Sequence, residues 1–322
     1  MFEFIVTLVI VCAVAALALP AIQALRESAR RVQCSGQVQR IAVAWLEHES
    51  AQGHLAAGGF GWDWVGDADR GYGVDQPGGW TYNILPYMDA AALHDRGLGA
   101  ETNELTKVKI RGELVDTPFA AYYCPSRRAP LLYPLGGVWL SSNAGSHGRT
   151  SRSDYAANVG DSERDADDGF VLNGWGPTPE EFRDAPRGTI FQQTSAETRN
   201  GLQFKQSVVR LDQITDGASH TYLVGEKYLS PEAYEGLAFR DQDTGDNEAA
   251  FVGFNRDHCR STFNPPQQDT SGFRADHEFG GPHSGGFNMS FCDGSVQFIS
   301  FDVDPKVHAQ SGNRRNRDEE SN

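Results

Sequence analysis

Cysteine is the residue type in this sequence whose chemistry depends most on its partners. Of five cysteines, Cys12 lies inside an uncharged apolar run, where it would act as a small apolar side chain. The other four are far apart, and no C-x-x-C pair occurs among Cys34, Cys124, Cys259 and Cys292. In an extracytoplasmic protein they could form one or two disulfides, and free thiols are equally compatible with the sequence. The spacing alone selects no pairs.

Histidines near the C-terminus are a second set of reactive groups. In "HEFGGPH", His277 and His283 are six positions apart, whereas the H-E-x-x-H zinc motif needs a spacing of four on a helix, which Gly-Gly-Pro forbids. His283 also lies ten positions before Asp293, so a catalytic His–Asp pair is one interpretation. We favour a structural role, because an Asp-Gly turn already explains Asp293. Another alternative is a metal cluster of these histidines with "DHC" at 257–259.

Two acidic loops carry carboxylates at alternating positions, which can converge on Ca²⁺. The residues are Asp161, Glu163, Asp165, Asp167 and Asp168 in one loop, and Asp241, Asp243, Asp246 and Glu248 in the other. Neither loop has the glycine that the EF-hand pattern requires, so we predict solvated loops and no cofactor, with Ca²⁺ as the alternative. No P-loop, G-x-G-x-x-G or G-x-S-x-G motif occurs, and we predict a protein that is not an enzyme.

Composition limits the partners and the fold. The chain has 322 residues and a formal net charge of −15, which argues against nucleic acid as a partner because phosphate binding needs a basic surface. It contains 35 Gly and 15 Pro, a level of turn residues that favours short strands and long loops over a helical bundle.

The N-terminal segment "MFEFIVTLVIVCAVAALALPAIQALRESARR" is a candidate membrane helix. Residues 4–25 carry no charge and as a helix would extend about 33 Å, enough to cross a bilayer core of about 30 Å. A cleaved signal and a buried core helix are the alternatives. Val38, Ile41 and Trp45 continue an apolar stripe, which predicts one helix over residues 1–50, with a kink at Pro20.

Two blocks define the predicted head domain, residues 51–305. In "LDQITDGASHTYLVGEKY", Asp216-Gly217 forms a turn before a strand that ends at Gly225-Glu226. In "HSGGFNMSFCDGSVQFISFDVD", Asp293-Gly294 separates two alternating runs, which predicts a two-residue hairpin loop pairing Phe291 with Val296 and Met289 with Phe298. Residues 306–322 have no periodicity and are predicted to be a disordered tail. The clustered aromatics of "GGFGWDWVGDADRGYG" and "GGWTYNILPYM" could stack on sugars, although packing is the simpler role.

Together these features resemble a known family. Glu3, Pro20 seventeen residues later, Arg30, Arg31, Cys34 and Gln39 match a prepilin-type N-terminal segment. "AAYYCPSRRAP" around Cys124, "ITDGASHTYLVGE" and the His283–Asp293-Gly294 spacing follow in the order of the planctomycete pseudopilin-like proteins that carry domain of unknown function 1559. Asp216, Gly217, Gly225, Glu226, His283, Asp293 and Gly294 are the signature positions, and Glu3 and Pro20 belong to the assembly helix.

The resemblance implies an α+β, pilin-like fold in which a long N-terminal helix precedes a head built on an antiparallel sheet. It implies a non-enzymatic, single-pass inner-membrane subunit of a type II secretion or type IV pilus-like assembly, with lipid and other pseudopilins as partners and a periplasmic or extracellular head. The family's basic leader and cleavage site are not in this sequence, and the basic residues after the apolar run would by themselves favour a cytoplasmic head. The alternative is a membrane-anchored module that binds polysaccharide or another ligand, with or without Ca²⁺.

Overall fold

The computed structural model describes residues 2–99, 104–162, 176–191, 199–235, 245–273, 275 and 277–316. The helices are α1 (Phe2–Gln52), α2 (Trp80–Asn83), α3 (Ala91–His94), α4 (Glu104–Val115), α5 (Pro179–Asp184) and α6 (Pro305–Gly312). The strands are β1 (Tyr133–Ser141), β2 (Gly145–Thr150), β3 (Tyr155–Asn158), β4 (Tyr222–Glu226), β5 (Cys259–Arg260), β6 (Gln267–Gln268), β7 (Gly280–Gly281), β8 (Gly286–Phe291) and β9 (Val296–Ser300). The predicted α+β class is confirmed.

Helix α1 has two halves with different surroundings. It is continuous over 51 residues and through Pro20, which corresponds to a length of about 76 Å. The most apolar 18-residue window is long and apolar enough to cross a membrane, and none of it is buried inside the protein. From Cys34 onward one face is buried, and Val38, Ile41 and Trp45 are fully inaccessible. Apolar residues at three- and four-residue spacing produce this buried face.

The buried face of α1 packs on a five-stranded sheet. The strand order is β5-β3-β4-β8-β9, and α1 contacts β4, β8 and β9. Neighbours pair antiparallel except β3 and β5, which are parallel. Every residue of β3, β4 and β8 is buried. Helix α1 contacts β4 and β8, and the His308 ring of α6 packs near Tyr222 of β4 and Phe287 of β8. Helix α1 is therefore part of the head's core rather than a stalk beneath it.

The C-terminal hairpin differs from the predicted register by one residue. Ser290 pairs with Val296 and Asn288 with Phe298, instead of Phe291 with Val296. The reason is a three-residue loop that ends in Gly294 at φ 85°, the left-handed position that such loops require. Because a one-residue slip moves a side chain to the other face, Phe298 is exposed, where the Arg31 guanidinium lies 4.8 Å from its ring.

The predicted disordered tail is wrong for its first residues. Helix α6 starts after Asp304, whose carboxylate accepts hydrogen bonds from the amides of Lys306 and Val307. The buried His308 ring faces Tyr222 and Phe287, at centroid distances of 5.5 and 6.4 Å. The sequence does not predict this short helix because it has no apolar repeat. The helix is stabilised by one capping residue and one buried side chain.

Candidate functional site

Four donor side chains from distant parts of the chain meet between α1 and the sheet. They are Cys34 on α1, Cys124 in the turn after the short 3₁₀ segment Ala120–Tyr122, Glu226 at the end of β4, and His283 in the loop between β7 and β8. One ligand atom from each lies within 4.8 Å of all the others, and all four residues are buried. We call these four residues the junction cluster.

The two thiols of the junction cluster are in direct contact. Cys34 Sγ and Cys124 Sγ are 2.7 Å apart, and both cysteines are free thiols. The Cys124 thiol also points toward Glu226 Oε1 at 3.7 Å. A tight turn holds Cys124, because its carbonyl accepts hydrogen bonds from the amides of Arg127 and Arg128 while its own amide donates to Asp154 Oδ2.

His283 is held from the side of the helix. Its Nδ1 lies 2.8 Å from Glu27 Oε1, and Glu27 is also bound by Arg30 one turn further along α1. Its Nε2 lies 3.2 Å from Glu226 Oε1 but makes no hydrogen bond of good geometry. One ring nitrogen is thus fixed by a carboxylate, and the other faces the interior of the cluster.

Glu226 is oriented by its second carboxylate oxygen. Oε2 accepts hydrogen bonds from the backbone amide of Asn288 at 2.7 Å and from its Nδ2 at 3.1 Å. Oε1 is left facing Cys124 and His283. Since Asn288 lies in β8 and Glu226 ends β4, the pairing of these two strands sets the direction of the carboxylate.

The cluster's electrostatics favour a charged His283 imidazole and a neutral Cys124 thiol when nothing else is bound. Burial alone would lower the pKa of His283, but its contacts with Cys124, Glu226 and Glu27 raise that pKa to about 10. Burial raises the pKa of the Cys124 thiol well above its ordinary value. The arrangement can support three states: an imidazolium between two carboxylates beside a thiol pair, a disulfide, or a metal bound by two thiolates, an imidazole and a carboxylate.

Comparison with known families decides the classification. The family model described as "Protein of unknown function (DUF1559)" matches residues 23–306. The chain belongs to this family. No curated protein and no solved structure matches the chain.

In this DUF1559 protein the signature positions of the sequence divide between the cluster and two turns. Glu226 and His283 lie in the junction cluster. Gly225 precedes Glu226 in β4 and packs against Met289 of β8, since a Cβ there would approach Met289 Cε to 2.6 Å. Asp216 and Gly217 form a turn in which Gly217 has φ 104° and the Asp216 amide donates to the Arg314 carbonyl.

The suggested His283–Asp293 pair is not formed. The Asp293 carboxylate accepts hydrogen bonds from the amide and hydroxyl of Ser295, within its own exposed turn. The Gly294 carbonyl accepts a hydrogen bond from Gln39 Nε2 of α1, so this turn fastens the hairpin to the helix. His283 is instead bound to Glu27, and the structural role of the Asp-Gly turn accounts for Asp293.

The other candidate ligands lie elsewhere. Cys259 and Cys292 are buried free thiols, and among the described residues neither belongs to a cluster of metal ligands. Positions 163–168 of the first acidic loop, and Asp241 and Asp243 of the second, lie outside the described residues. Asp246 does not face solvent, because it is buried between Arg128 and Lys227 at 2.5 and 2.9 Å.

The aromatic residues proposed for ligand stacking are mostly packed. Phe60, Trp64 and Trp80 are at most 2% exposed, and the rings of Phe60 and Trp64 contact each other edge to face at a centroid distance of 5.6 Å. The Trp64 and Trp80 indole nitrogens donate to backbone carbonyls. Burial favours a packing role for these three side chains, and the polysaccharide-binding alternative stays a hypothesis.

The sequence identified two members of the junction cluster as signature positions but not their common site. The spacing of Cys34 and Cys124 predicts no pair, and no motif in the sequence distinguishes Glu27. The usable signal was that Cys34, Cys124, Glu226 and His283 each fall in a different block of the family resemblance. Four blocks far apart in sequence that each contain one metal-ligand residue type can supply one site between them.

Proposed function

We propose that this protein is a non-enzymatic, pseudopilin-like subunit of a type II secretion or type IV pilus-like assembly, anchored in the inner membrane by the first half of α1. The supporting observation is the division of α1 into an exposed apolar half and a packed half within one unbroken helix. The same shape would suit a membrane anchor alone, so the experiment must test association.

The exposed half needs a covering of lipid or other helices. Phe2, Phe4 and Leu17 are 80, 73 and 78% exposed. A continuous apolar surface of this length is unfavourable in water and marks a region that contacts lipid or another protein. A bilayer covers such a helix, and helices of neighbouring subunits can replace part of the lipid through side-chain packing.

Glu3 gives the proposal its specific prediction. A carboxylate at the end of an apolar helix is costly in lipid and favours a cationic partner, which the N-terminus of a neighbouring subunit would supply. The family resemblance favours a periplasmic or extracellular head. The basic residues after the span, Arg26, Arg30 and Arg31, favour the opposite orientation by charge alone, and the proposal follows the family resemblance on this point.

The test is crosslinking of the full chain in membranes. Glu3→Ala is expected to weaken the ladder of crosslinked species several-fold, while protease resistance of the head stays unchanged. Glu47→Ala is the matched control, because Glu47 is exposed on the packed half of the same helix. An identical ladder for Glu3→Ala and Glu47→Ala would contradict the proposed assembly contact and leave only a simple anchor.

A further inference from the structure

We propose that Cys34, Cys124, Glu226 and His283 bind a zinc-class divalent cation that joins the membrane helix to the head. The four ligands come from α1, the turn after residue 122, β4 and the loop before β8, so a bound ion would tie together four segments. This inference is independent of whether the chain assembles into a filament.

The donor set matches zinc better than it matches the hard cations. Two thiolates and one imidazole are the ligands that borderline-soft Zn²⁺ prefers, and a single carboxylate completes a closed tetrahedral set. Ca²⁺ and Mg²⁺ need six or more oxygen ligands, which these four residues do not provide. The two thiolates and the carboxylate carry three negative charges, two of which the ion would neutralise in a buried place.

The groups behind the ligands are arranged as in metal sites. Glu27 binds His283 Nδ1 at 2.8 Å, so when a cation displaces the Nε2 proton of the imidazolium, the ring keeps the tautomer that presents the Nε2 lone pair to the cluster. Asn288 binds one oxygen of Glu226 and leaves the other facing inward. The buried Nε2 of His283 lacks a well-formed hydrogen bond, so it is aimed into the cluster without being satisfied there.

A disulfide explains only part of this arrangement. It would join Cys34 to Cys124, but it would not require a carboxylate and an imidazole to converge on the two sulfur atoms. A bound ion uses all four groups. Since thiolates bound at about 2.3 Å in a tetrahedral site lie about 3.7 Å apart, the sulfurs would separate by about 1 Å from their present 2.7 Å.

The experiment uses the full chain in detergent micelles, reduced and freed of metal by a chelator. We expect Co²⁺ to bind with one equivalent per chain and to give both the absorption of tetrahedral cobalt and a sulfur-to-cobalt charge-transfer band, which added Zn²⁺ abolishes. Cys34→Ser should lose most of the charge-transfer band. Cys292→Ser is the matched control, because it removes a buried thiol that lies outside the cluster.

A second variant keeps the test valid if removal of a buried ligand prevents folding. Glu27→Gln changes a half-exposed side chain and is expected to weaken Zn²⁺ affinity about 10- to 100-fold, as loss of an orienting partner does elsewhere. Glu47→Gln should leave the affinity unchanged. Glu27 acts here as a positioning residue, and the measured Zn²⁺ affinity is a readout that a merely structural contact would not move.

Two results would overturn the proposal. One is that the wild-type chain, reduced and shown by circular dichroism to be folded, takes up no Co²⁺, or that Glu27→Gln binds Co²⁺ as tightly as the wild-type chain does. The other is recovery of Cys34 and Cys124 as a disulfide, by mass spectrometry, from most of the protein purified with Zn²⁺ and without reductant.

Discussion

Replacement of Trp45 tests how much the packed half of α1 contributes to the stability of the head. The Trp45 side chain is fully buried on α1, and its ring lies 5.9 Å from that of Trp80. Trp80 is itself fixed by a 2.7 Å hydrogen bond from its indole nitrogen to the His258 carbonyl. Because Trp80 cannot move to fill the space, Trp45→Ala should leave a cavity.

The expected magnitude follows from this packing. Loss of a buried tryptophan to alanine costs about 3–5 kcal/mol in free energy of unfolding, the sum of lost transfer free energy and the cavity term. Trp45 Nε1 has no hydrogen-bond partner among the residues that the structure describes, so no broken hydrogen bond adds to that cost. At about 2–4 °C per kcal/mol, Trp45→Ala should lower Tm by about 6–20 °C. Trp45→Phe should cost less, because it keeps an aromatic ring and removes an unpaired buried N–H.

The assay is thermal unfolding of the full chain in detergent, followed by far-ultraviolet circular dichroism. Val43→Ala is the control, since Val43 is 42% exposed two positions earlier on the same helix and its truncation should change Tm little. Equal Tm values for Trp45→Ala and Val43→Ala would refute the reasoning, because they would show that the head folds without the packed half of α1.

The remaining predictions concern buried charge and pH. Burial lowers the pKa of His308 to about 4 from the ordinary 6.5, so below pH 6.5 the unfolded chain binds a proton that the folded chain does not. The free energy of unfolding should therefore fall by about 2 kcal/mol between pH 7 and pH 5 from this group. Urea unfolding at both pH values should show that His308→Leu removes this fall in the free energy of unfolding. The control His220→Leu, which changes an exposed side chain, should keep it. Equal pH dependence in the two variants would contradict the assignment of the effect to His308. Asp246→Ala removes the buried carboxylate that Arg128 and Lys227 share, leaves Arg128 with Asp154, and should cost about 3–5 kcal/mol. Asp212→Ala breaks an exposed pair and should cost under about 1 kcal/mol; similar Tm values for both variants would show that the buried network contributes little.

Local patterns predicted the elements of this fold better than their contacts. The three- and four-residue spacing of Val38, Ile41 and Trp45 identified the buried face of α1, because that period belongs to the helix itself. The Asp293-Gly294 pair identified the hairpin, but not whether two or three residues would form its loop. That choice depends on which strand face β4 and α1 cover, and this is a tertiary property.

The junction cluster could be predicted only in part. Its sequence separations are large, since Cys124 follows Cys34 by 90 positions and Glu226 follows Cys124 by 102. No spacing rule for metal ligands or disulfides covers such separations in sequence. The sequence therefore shows which residues can act as ligands, but not which of them lie together in the fold. The role of Glu27 was harder still to foresee, because a glutamate three positions before an arginine on a helix is fully explained by their local ion pair.

The contact between α1 and the β8–β9 hairpin orders events during synthesis. Helix α1 is synthesised well before two of its packing partners, β8 and β9, which span residues 286–300. The packed face of Val38, Ile41 and Trp45 therefore stays incompletely covered until residues 286–300 have been translated, which at about 5–20 residues per second takes tens of seconds. During that interval the nascent chain exposes part of an apolar helical face directly after its exposed apolar segment, so its need for chaperones should be greatest before β8 and β9 are made.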